Sequence, residues 1–136
     1  MKVLTFGVFD LLHYGHVELF RKAKELAGPG GKLIVGVQDD EHVRKYKPDV
    51  KLGYTYDIRR FMVGSVKYVD EVVLHTDVDE TVRRVDFDIF CPGGEQAHDG
   101  FKRAIAWCSE HGKHVIRIPR TEGISSTLIR AGIDQR

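Results

Sequence analysis

Short apolar runs of strand length alternate with longer stretches in which apolar residues recur at helical spacing, and this alternation is what most constrains the fold. Strands separated by helices are typical of βαβ units, in which a mostly parallel sheet is covered by helices on both faces. At 136 residues, the chain suits one domain spanning positions 1–136. The pattern predicts five strands: Lys2–Phe6, Leu33–Val37, Glu71–Leu74, Asp88–Cys91 and His114–Ile118.

Helices are predicted between these strands from the spacing of apolar residues. Gly28 and Pro29 end the first helix, and Pro48 and Gly53 indicate a loop over residues 45–54. The predicted helices run from His16 to Ala27, from Asp39 towards Tyr46, through Ile58, Phe61, Met62 and Val66, over Glu80–Val85, over Phe101–His111 and over Ser126–Ala131.

Composition excludes several classes of function. The net charge is +1, so no general basic field indicates nucleic acid, and an anionic ligand must be bound by a local group of donors. Cys91 and Cys108 are too few for a disulfide framework and lack metal-finger spacing, which indicates small buried hydrophobes in an intracellular protein. No stretch has the length of a membrane span or the pattern of a signal peptide. A cytoplasmic protein without membrane insertion is expected.

The loop after the first strand carries the pattern most suggestive of chemistry, running from Gly7 to His16 with the sequence GVFDLLHYGH. In parallel sheets, ligands bind beyond the carboxyl ends of the strands. Gly7 is expected to let the backbone turn sharply and expose N–H groups to a phosphate. His13 and His16 bracket Gly15 at the start of a helix, where an anion is already favoured. Both imidazoles should therefore face one ligand.

Two histidines in this position suit the transfer of a nucleotidyl group, because positioned donors supply most of the catalysis in phosphoryl transfer. The alternatives are that the pair caps the helix or holds a metal. With Asp10 as the nearest acidic residue, two histidines make a poor metal site. The spacing therefore predicts phosphate binding by His13 and His16.

A second loop of the same kind follows the fifth strand and reads RTEGISST. Gly123 supplies flexibility, Ser125 or Ser126 can cap the next helix, and Arg120 can bind phosphate oxygens in a bidentate manner. The alternative is an ordinary helix cap beside a surface arginine. The position after a parallel strand favours a second phosphate-binding loop.

Together the segments GVFDLLHYGH and RTEGISST resemble the two signatures of the cytidylyltransferases in the nucleotidyltransferase superfamily. The resemblance extends to YDIRR around Arg59 and KYVDEVV at 67–73, and it is strongest to single-domain members that use glycerol 3-phosphate. It implies a Rossmann-like, doubly wound, mostly parallel five-stranded sheet. It also implies CTP bound with Mg²⁺, usually a homodimer, and attack by the substrate phosphate on the α-phosphorus without a covalent intermediate.

The resemblance also implies roles for individual residues. His13, His16, Lys45 and Arg120 are the implied catalytic residues, and no residue is assigned to a metal. Lys45 would hold the substrate phosphate, together with Lys67, Gly93, Gly94 and Glu95 on the substrate side. The implied nucleotide-binding residues are Gly7, Val8, Phe9, His13, Gly15, His16, Lys47, Arg59, Arg120, Thr121, Gly123, Ile124, Ser125, Ser126 and Thr127.

Two departures from the family pattern bear on the acceptor. Lys67 stands where the family has arginine, and residues 92–96 read PGGEQ in place of a G-D-D-W-like segment. The acceptor therefore stays open among glycerol 3-phosphate, phosphocholine, phosphoethanolamine and other phosphorylated polar molecules, and His98 is a further candidate contact. A non-catalytic nucleotide-binding module is disfavoured by the intact His13, His16 and Arg120, and an adenylyltransferase by RTEGISST. Structural or surface roles are expected for His42, His75, His111, His114 and Trp107.

Overall fold

The computed structural model describes residues 1–92 and 99–119, and a parallel sheet lies at its centre. Its elements in chain order are β1 (Lys2–Gly7), α1 (Tyr14–Ala27), β2 (Lys32–Gln38), α2 (Asp40–Tyr46), α3 (Tyr56–Gly64), β3 (Glu71–His75), α4 (Val78–Arg84), β4 (Ile89–Phe90), α5 (Asp99–Glu110) and β5 (His114–Val115).

The strand order is β3-β2-β1-β4-β5, and every pairing in this sheet is parallel. From β1 the chain builds outward through β2 to β3 and then returns to place β4 on the other side of β1. The strand order therefore reverses between β1 and β4, and the loops that follow these two strands flank the crevice in which such sheets bind ligands.

The strands supply two hydrophobic cores because successive side chains point to opposite faces. Val3 packs on the face that carries α1 and α3, in one cluster with Phe20 and Val63. Its neighbour Leu4 packs on the opposite face with Val82 of α4, and α5 joins that cluster. The predicted fold class, a doubly wound α/β sheet with helices on both faces, is confirmed.

Both cysteines lie in these cores with no solvent exposure, as the sequence predicted. Cys91 belongs to the first core and Cys108 to the second. Burial raises the pKa of Cys91 to about 12 and raises that of Cys108 as well, so both stay as uncharged thiols. Trp107 packs against the second core, in agreement with its predicted structural role.

Several predicted boundaries are wrong. Helix α1 begins at Tyr14, two residues before the predicted start, because His13 serves as its N-cap. Helix α2 continues through Tyr46, so Lys45 is helical and does not lie in the predicted loop over residues 45–54. The predicted helix Ser126–Ala131 lies outside the described residues.

Helix α3 buries a different face from the one that its apolar residues suggest. Ile58, Phe61 and Met62 are exposed by 46%, 72% and 37%, whereas Arg59 and Val63 face the interior. The helix ends at Gly64, so Val66 follows it. Within residues 1–92 and 99–119, no helix combines the length and the apolarity that crossing a bilayer requires.

Candidate active site

The loop after β1 is held in a conformation that ordinary residues rarely adopt. Phe9 and Leu11 have φ angles of 53° and 48°, which lie in the left-handed region. Gly7 itself stays in the strand, so the sharp turn predicted at Gly7 occurs at these later residues instead. A Cβ atom on Gly7 would approach the Phe9 ring to 3.2 Å, so the glycine provides room for this ring. Such backbone outliers concentrate at functional sites.

The two histidines form a reciprocal cap at the start of α1. The backbone N–H of Gly15 donates to His13 Nδ1 at 3.0 Å, and the backbone N–H of His13 donates to His16 Nδ1 at 3.2 Å. The two imidazole rings stack with their centroids 3.8 Å apart. The ring of Phe9 packs edge-on against His16, with the two ring centroids 5.4 Å apart. The structure therefore brings the two rings together in a helix cap, and their role in phosphate binding stays a prediction.

These hydrogen bonds also set the protonation of the two rings. Because Nδ1 accepts a backbone hydrogen bond in each ring, the proton of a neutral imidazole is assigned to Nε2. Burial, followed by the nearby His13, lowers the pKa of His16 to about 4, and burial lowers the pKa of His13. Two neutral imidazoles therefore offer neighbouring Nε2–H donors near neutral pH, an arrangement suited to phosphate oxygens.

Asp10 ties this loop to the segment before α3. Its side chain is 2% exposed, and its two carboxylate oxygens accept the backbone N–H groups of Gly53 and Tyr54 at 2.7 Å and 2.9 Å. A Cβ atom on Gly53 would lie 2.7 Å from the Leu11 side chain, which would then have to shift. From the sequence, Asp10 was weighed only as a metal ligand. Its position within an apolar run was a signal that the carboxylate is buried and needs donors.

Arg59 is fully buried and connects three segments of the site. Its guanidinium donates to the carbonyls of Val8 at 2.8 Å, Gln38 at 2.6 Å and Tyr54 at 3.2 Å, and it pairs with Asp40 at 2.5 Å. This placement corrects the expectation that the Arg59 side chain contacts the nucleotide directly. It holds the loop after β1 against the end of β2 and so acts on the site through the backbone of Val8.

Lys45 and Lys47 lie at the carboxyl end of α2, on the side of the site next to β3. Lys45 is 57% exposed, and its ammonium donates to Asp77, which follows β3, at 2.9 Å. Lys47 is the exposed residue that ends the helix. Neither lysine takes part in the hydrogen bonds that join His13, Asp10 and Arg59 to their partners.

Lys67 is not brought to the histidine loop within one chain. It lies four residues before β3, near the amino end of that strand, whereas the histidines follow the carboxyl end of β1. Since all strands run parallel, these two positions are at opposite edges of the sheet. The Lys67 ammonium lies 5.1 Å from the ring centroid of Tyr68. Because of its position at the opposite edge, Lys67 is not placed beside the histidines in the described chain.

The remaining predicted residues lie outside the described ranges: Gly93, Gly94, Glu95, His98 and Arg120–Thr127. The segment leading to Arg120 is described, and it runs beside the end of β4. Ile116 donates to the Phe90 carbonyl at 3.0 Å and Ile118 to the Pro92 carbonyl at 3.4 Å. Pro119 therefore lies at the carboxyl ends of the strands, where the loop after β1 also lies.

Comparison with known proteins agrees with this arrangement. Residues 4–132 match the cytidylyltransferase-like family model. The chain is 38% identical over 133 residues to the glycerol-3-phosphate cytidylyltransferase of Staphylococcus aureus, covering 95% of this chain and 92% of that protein. It is also 35% identical over 132 residues to the FAD synthase of Korarchaeum cryptofilum, covering 95% and 89%.

A solved structure supports the same conclusion. The lipopolysaccharide core biosynthesis protein from Thermoplasma volcanium GSS1 superposes with a TM-score of 0.75 at 27% identity, covering 90% of this chain and 98% of that one. The sequence signatures, the sheet topology and the family match agree, and the prediction of an enzyme of the nucleotidyltransferase class is confirmed. The chain belongs to the cytidylyltransferase-like family.

Proposed function

We propose that this protein transfers the cytidylyl group of CTP to the phosphate of a small phosphorylated alcohol and releases pyrophosphate. The acceptor that we favour is glycerol 3-phosphate. The observation that carries the proposal is the stacked pair His13 and His16, whose Nδ1 atoms are occupied so that two Nε2–H donors are left for one anion. The similarity to a protein named glycerol-3-phosphate cytidylyltransferase supports the choice of acceptor.

In this reaction an oxygen of the acceptor phosphate attacks the α-phosphorus of CTP. The new bond joins that oxygen to the α-phosphorus, while the bond from the α-phosphorus to the bridging oxygen breaks. The electron pair of the broken bond leaves with pyrophosphate. The Nε2–H groups of His13 and His16 donate to phosphate oxygens as negative charge builds up, and their fixed position means that little reorganisation is needed.

Magnesium is expected to enter with CTP. Across residues 1–92 and 99–119, no group of three or more His, Cys, Asp or Glu side chains could hold a metal ion. Mg²⁺ is commonly held by substrate phosphates and water with few protein ligands, and we propose the same arrangement for this protein. When bound, the ion would neutralise part of the charge on the triphosphate.

Lys45, Lys47 and Arg120 supply the remaining positive charge in this proposal. CTP and a phosphomonoester bring several negative charges together, and these repel unless cations lie between them. Lys45 would bind the acceptor phosphate and Lys47 a phosphate of CTP. Residues Arg120–Thr127 would bind the nucleotide, and Gly93–Glu95 would contact the acceptor.

Adenylyl transfer is the second candidate, because the relative from Korarchaeum cryptofilum is named FAD synthase and FAD contains an adenosine. The decisive experiment measures pyrophosphate release from CTP and ATP, each with glycerol 3-phosphate, phosphocholine, phosphoethanolamine and FMN. We expect CTP with glycerol 3-phosphate to give the highest kcat/KM. Equal or faster turnover of ATP with FMN would replace cytidylyl transfer by adenylyl transfer, and CTP with a different phosphate would change the acceptor alone.

Other expectations from the sequence stay predictions: a single domain over 1–136, a cytoplasmic location, no nucleic-acid partner and a homodimer. The exposed side chains of Ile58, Phe61 and Met62 on α3 support the homodimer, because a second copy of the chain could cover them.

A further inference from the structure

Asp77 occupies the N-cap of α4 but does not cap that helix. An aspartate at this position ordinarily accepts a hydrogen bond from a backbone N–H of the first turn. The Asp77 backbone has the extended conformation that a cap requires, with φ −83° and ψ 147°, yet its side chain makes no capping bond. The carboxylate is directed instead across the gap between the loops that follow β2 and β3, towards α2.

Three side chains of α2 meet this carboxylate. The Lys45 ammonium donates to Asp77 Oδ1 at 2.9 Å, and the Tyr46 hydroxyl donates to the same oxygen. His42 Nε2 lies 3.8 Å from Asp77 Oδ2, and its Nδ1 lies 2.7 Å from Asp39. No partner for His42 was predicted from sequence spacing, whereas the fold places it between the carboxylates of Asp39 and Asp77. The basic side chains of α2 therefore face the Asp77 carboxylate.

The contact between Lys45 and Asp77 is well formed but exchangeable. The two side chains are 57% and 22% exposed, so water reaches the pair and screens it. The hydrogen bond to Asp77 raises the pKa of Lys45, while the bonds from Tyr46 and then Lys45 lower the pKa of Asp77. Both groups are thus charged at neutral pH. A phosphate dianion offers the ammonium a stronger partner than a single carboxylate.

The pairing also directs Lys45 away from the histidines. Strand β3 is at the edge of the sheet, with β2 between it and β1. Because Asp77 follows β3, it draws the Lys45 ammonium towards the outer loop, whereas His13 and His16 follow β1. We therefore expect Lys45 to leave Asp77 when it binds an acceptor phosphate beside the histidines.

We propose that Asp77 is a positioning residue that competes with the acceptor phosphate for Lys45, and that this competition sets the affinity of the enzyme for phosphorylated acceptors. The proposal rests on the proposed function, in which Lys45 binds the acceptor phosphate. Asp77 holds the Lys45 ammonium in one orientation, and the arriving phosphate displaces the carboxylate. The carboxylate then remains with Tyr46 and His42.

The test is a binding measurement on the full chain without CTP, so it does not depend on turnover. Glycerol 3-phosphate, and inorganic phosphate in a parallel titration, are added while the ¹³Cε resonance of Lys45 is followed by NMR. Both should shift this resonance in the wild type. Asp77→Asn should bind each about two- to fivefold more tightly, since an exposed ion pair of this kind no longer has to be broken. Asparagine also keeps a favourable N-cap residue on α4.

Two comparisons separate competition from a general change of charge. Asp79→Asn removes a carboxylate from the same helix, but Asp79 pairs with Arg103 at 3.1 Å and should leave phosphate affinity unchanged. In a Lys45→Met background, Asp77→Asn should have no effect on phosphate binding, as measured by calorimetry. A purely structural tie between α2 and α4 would give the same affinity, or a weaker one, in Asp77→Asn.

Several results would overturn the proposal. They are an unshifted Lys45 resonance at saturating phosphate, unchanged or weaker binding by Asp77→Asn, or an equal gain in Asp79→Asn. The failure of the proposed function would look different. If ATP rather than CTP supports turnover while Asp77→Asn still binds phosphate more tightly through Lys45, the nucleotide assignment fails and the competition stands.

Discussion

Arg59 and Lys45 are two cations of the candidate site, but their surroundings differ. Arg59 is completely buried and donates to three backbone carbonyls and one carboxylate from different segments. Lys45 is 57% exposed and is held by one carboxylate. A planar guanidinium can satisfy several fixed acceptors at once, whereas an ammonium on a flexible stem behaves as a movable point charge. The first builds the site, and the second is available to a ligand.

The same division applies to the rest of the site. The inner wall, defined here as Val8, Asp10, His13, His16 and Arg59, is joined by hydrogen bonds between elements that are far apart in sequence. The outer arm, defined as His42, Lys45, Tyr46 and Asp77, consists of exposed or half-buried side chains on helix α2 and at the N-cap of α4. Changes in the inner wall should therefore alter stability strongly, and changes in the outer arm should alter ligand binding at little cost in stability.

The largest effect is expected for Arg59→Met. Removing one partner of a buried ion pair leaves Asp40 and the three carbonyls without their donor, which costs about 3–5 kcal/mol of unfolding free energy. Urea unfolding followed by circular dichroism measures this loss. Arg60→Met is the matched control, because Arg60 is the next residue of α3, is 55% exposed and lies 3.8 Å from Asp57. Its effect should stay within about 0.5 kcal/mol. Similar losses in both variants would refute the division between wall and arm.

The protonation of His16 gives the next largest effect. Burial lowers its pKa to about 4, whereas the unfolded chain titrates near the ordinary value of 6.5. Between these pH values the unfolded chain binds a proton that the native site does not, so stability is complete above pH 6.5 and falls towards pH 4. The part due to His16 should be at most about 3 kcal/mol, because a shift of one pKa unit corresponds to about 1.4 kcal/mol and the ring is partly exposed.

Urea unfolding at a series of pH values checks this prediction. His16→Asn should flatten the decline between pH 6.5 and 4, although His75, whose pKa burial lowers to about 3, leaves a decline of the same sign. If His16→Asn retains the full pH dependence, His16 is not the neutral, desolvated imidazole described above.

The fold could be predicted from the sequence because its signals are local. Strand-length apolar runs and helical spacing identified the five strands, and the doubly wound topology follows from their alternation with helices. The histidine pair was predictable for the same reason, since its two members lie within one helical turn. Local signals failed at α3, where the exposed Phe61 and the buried Arg59 reverse the usual preference of these residue types.

The connections that complete the site were not predictable, because they depend on which loops the topology brings together. Asp10 and Gly53 are 43 positions apart, Val8 and Arg59 are 51, and Lys45 and Asp77 are 32. Sequence spacing indicates neither that a carboxylate lies within reach of Lys45 nor that a carbonyl lies within reach of Arg59. The resemblance implied a nucleotide-binding role for Arg59, whereas its hydrogen bonds direct its side chain to the backbone of Val8 and Gln38.

The smallest effect on stability, and the clearest test of the outer arm, is expected for Lys45→Met. An exposed ion pair contributes about 0.2–1 kcal/mol, and methionine preserves the apolar stem of lysine and its preference for helix. Unfolding free energy should thus change by less than about 1 kcal/mol, while KM for the phosphorylated acceptor rises at least tenfold and KM for CTP changes little. Steady-state kinetics beside urea unfolding separates the two. A loss of stability as large as that of Arg59→Met would place Lys45 in the inner wall. A lysine that exchanges a protein carboxylate for a ligand can contribute only a little to the unfolding free energy through that carboxylate.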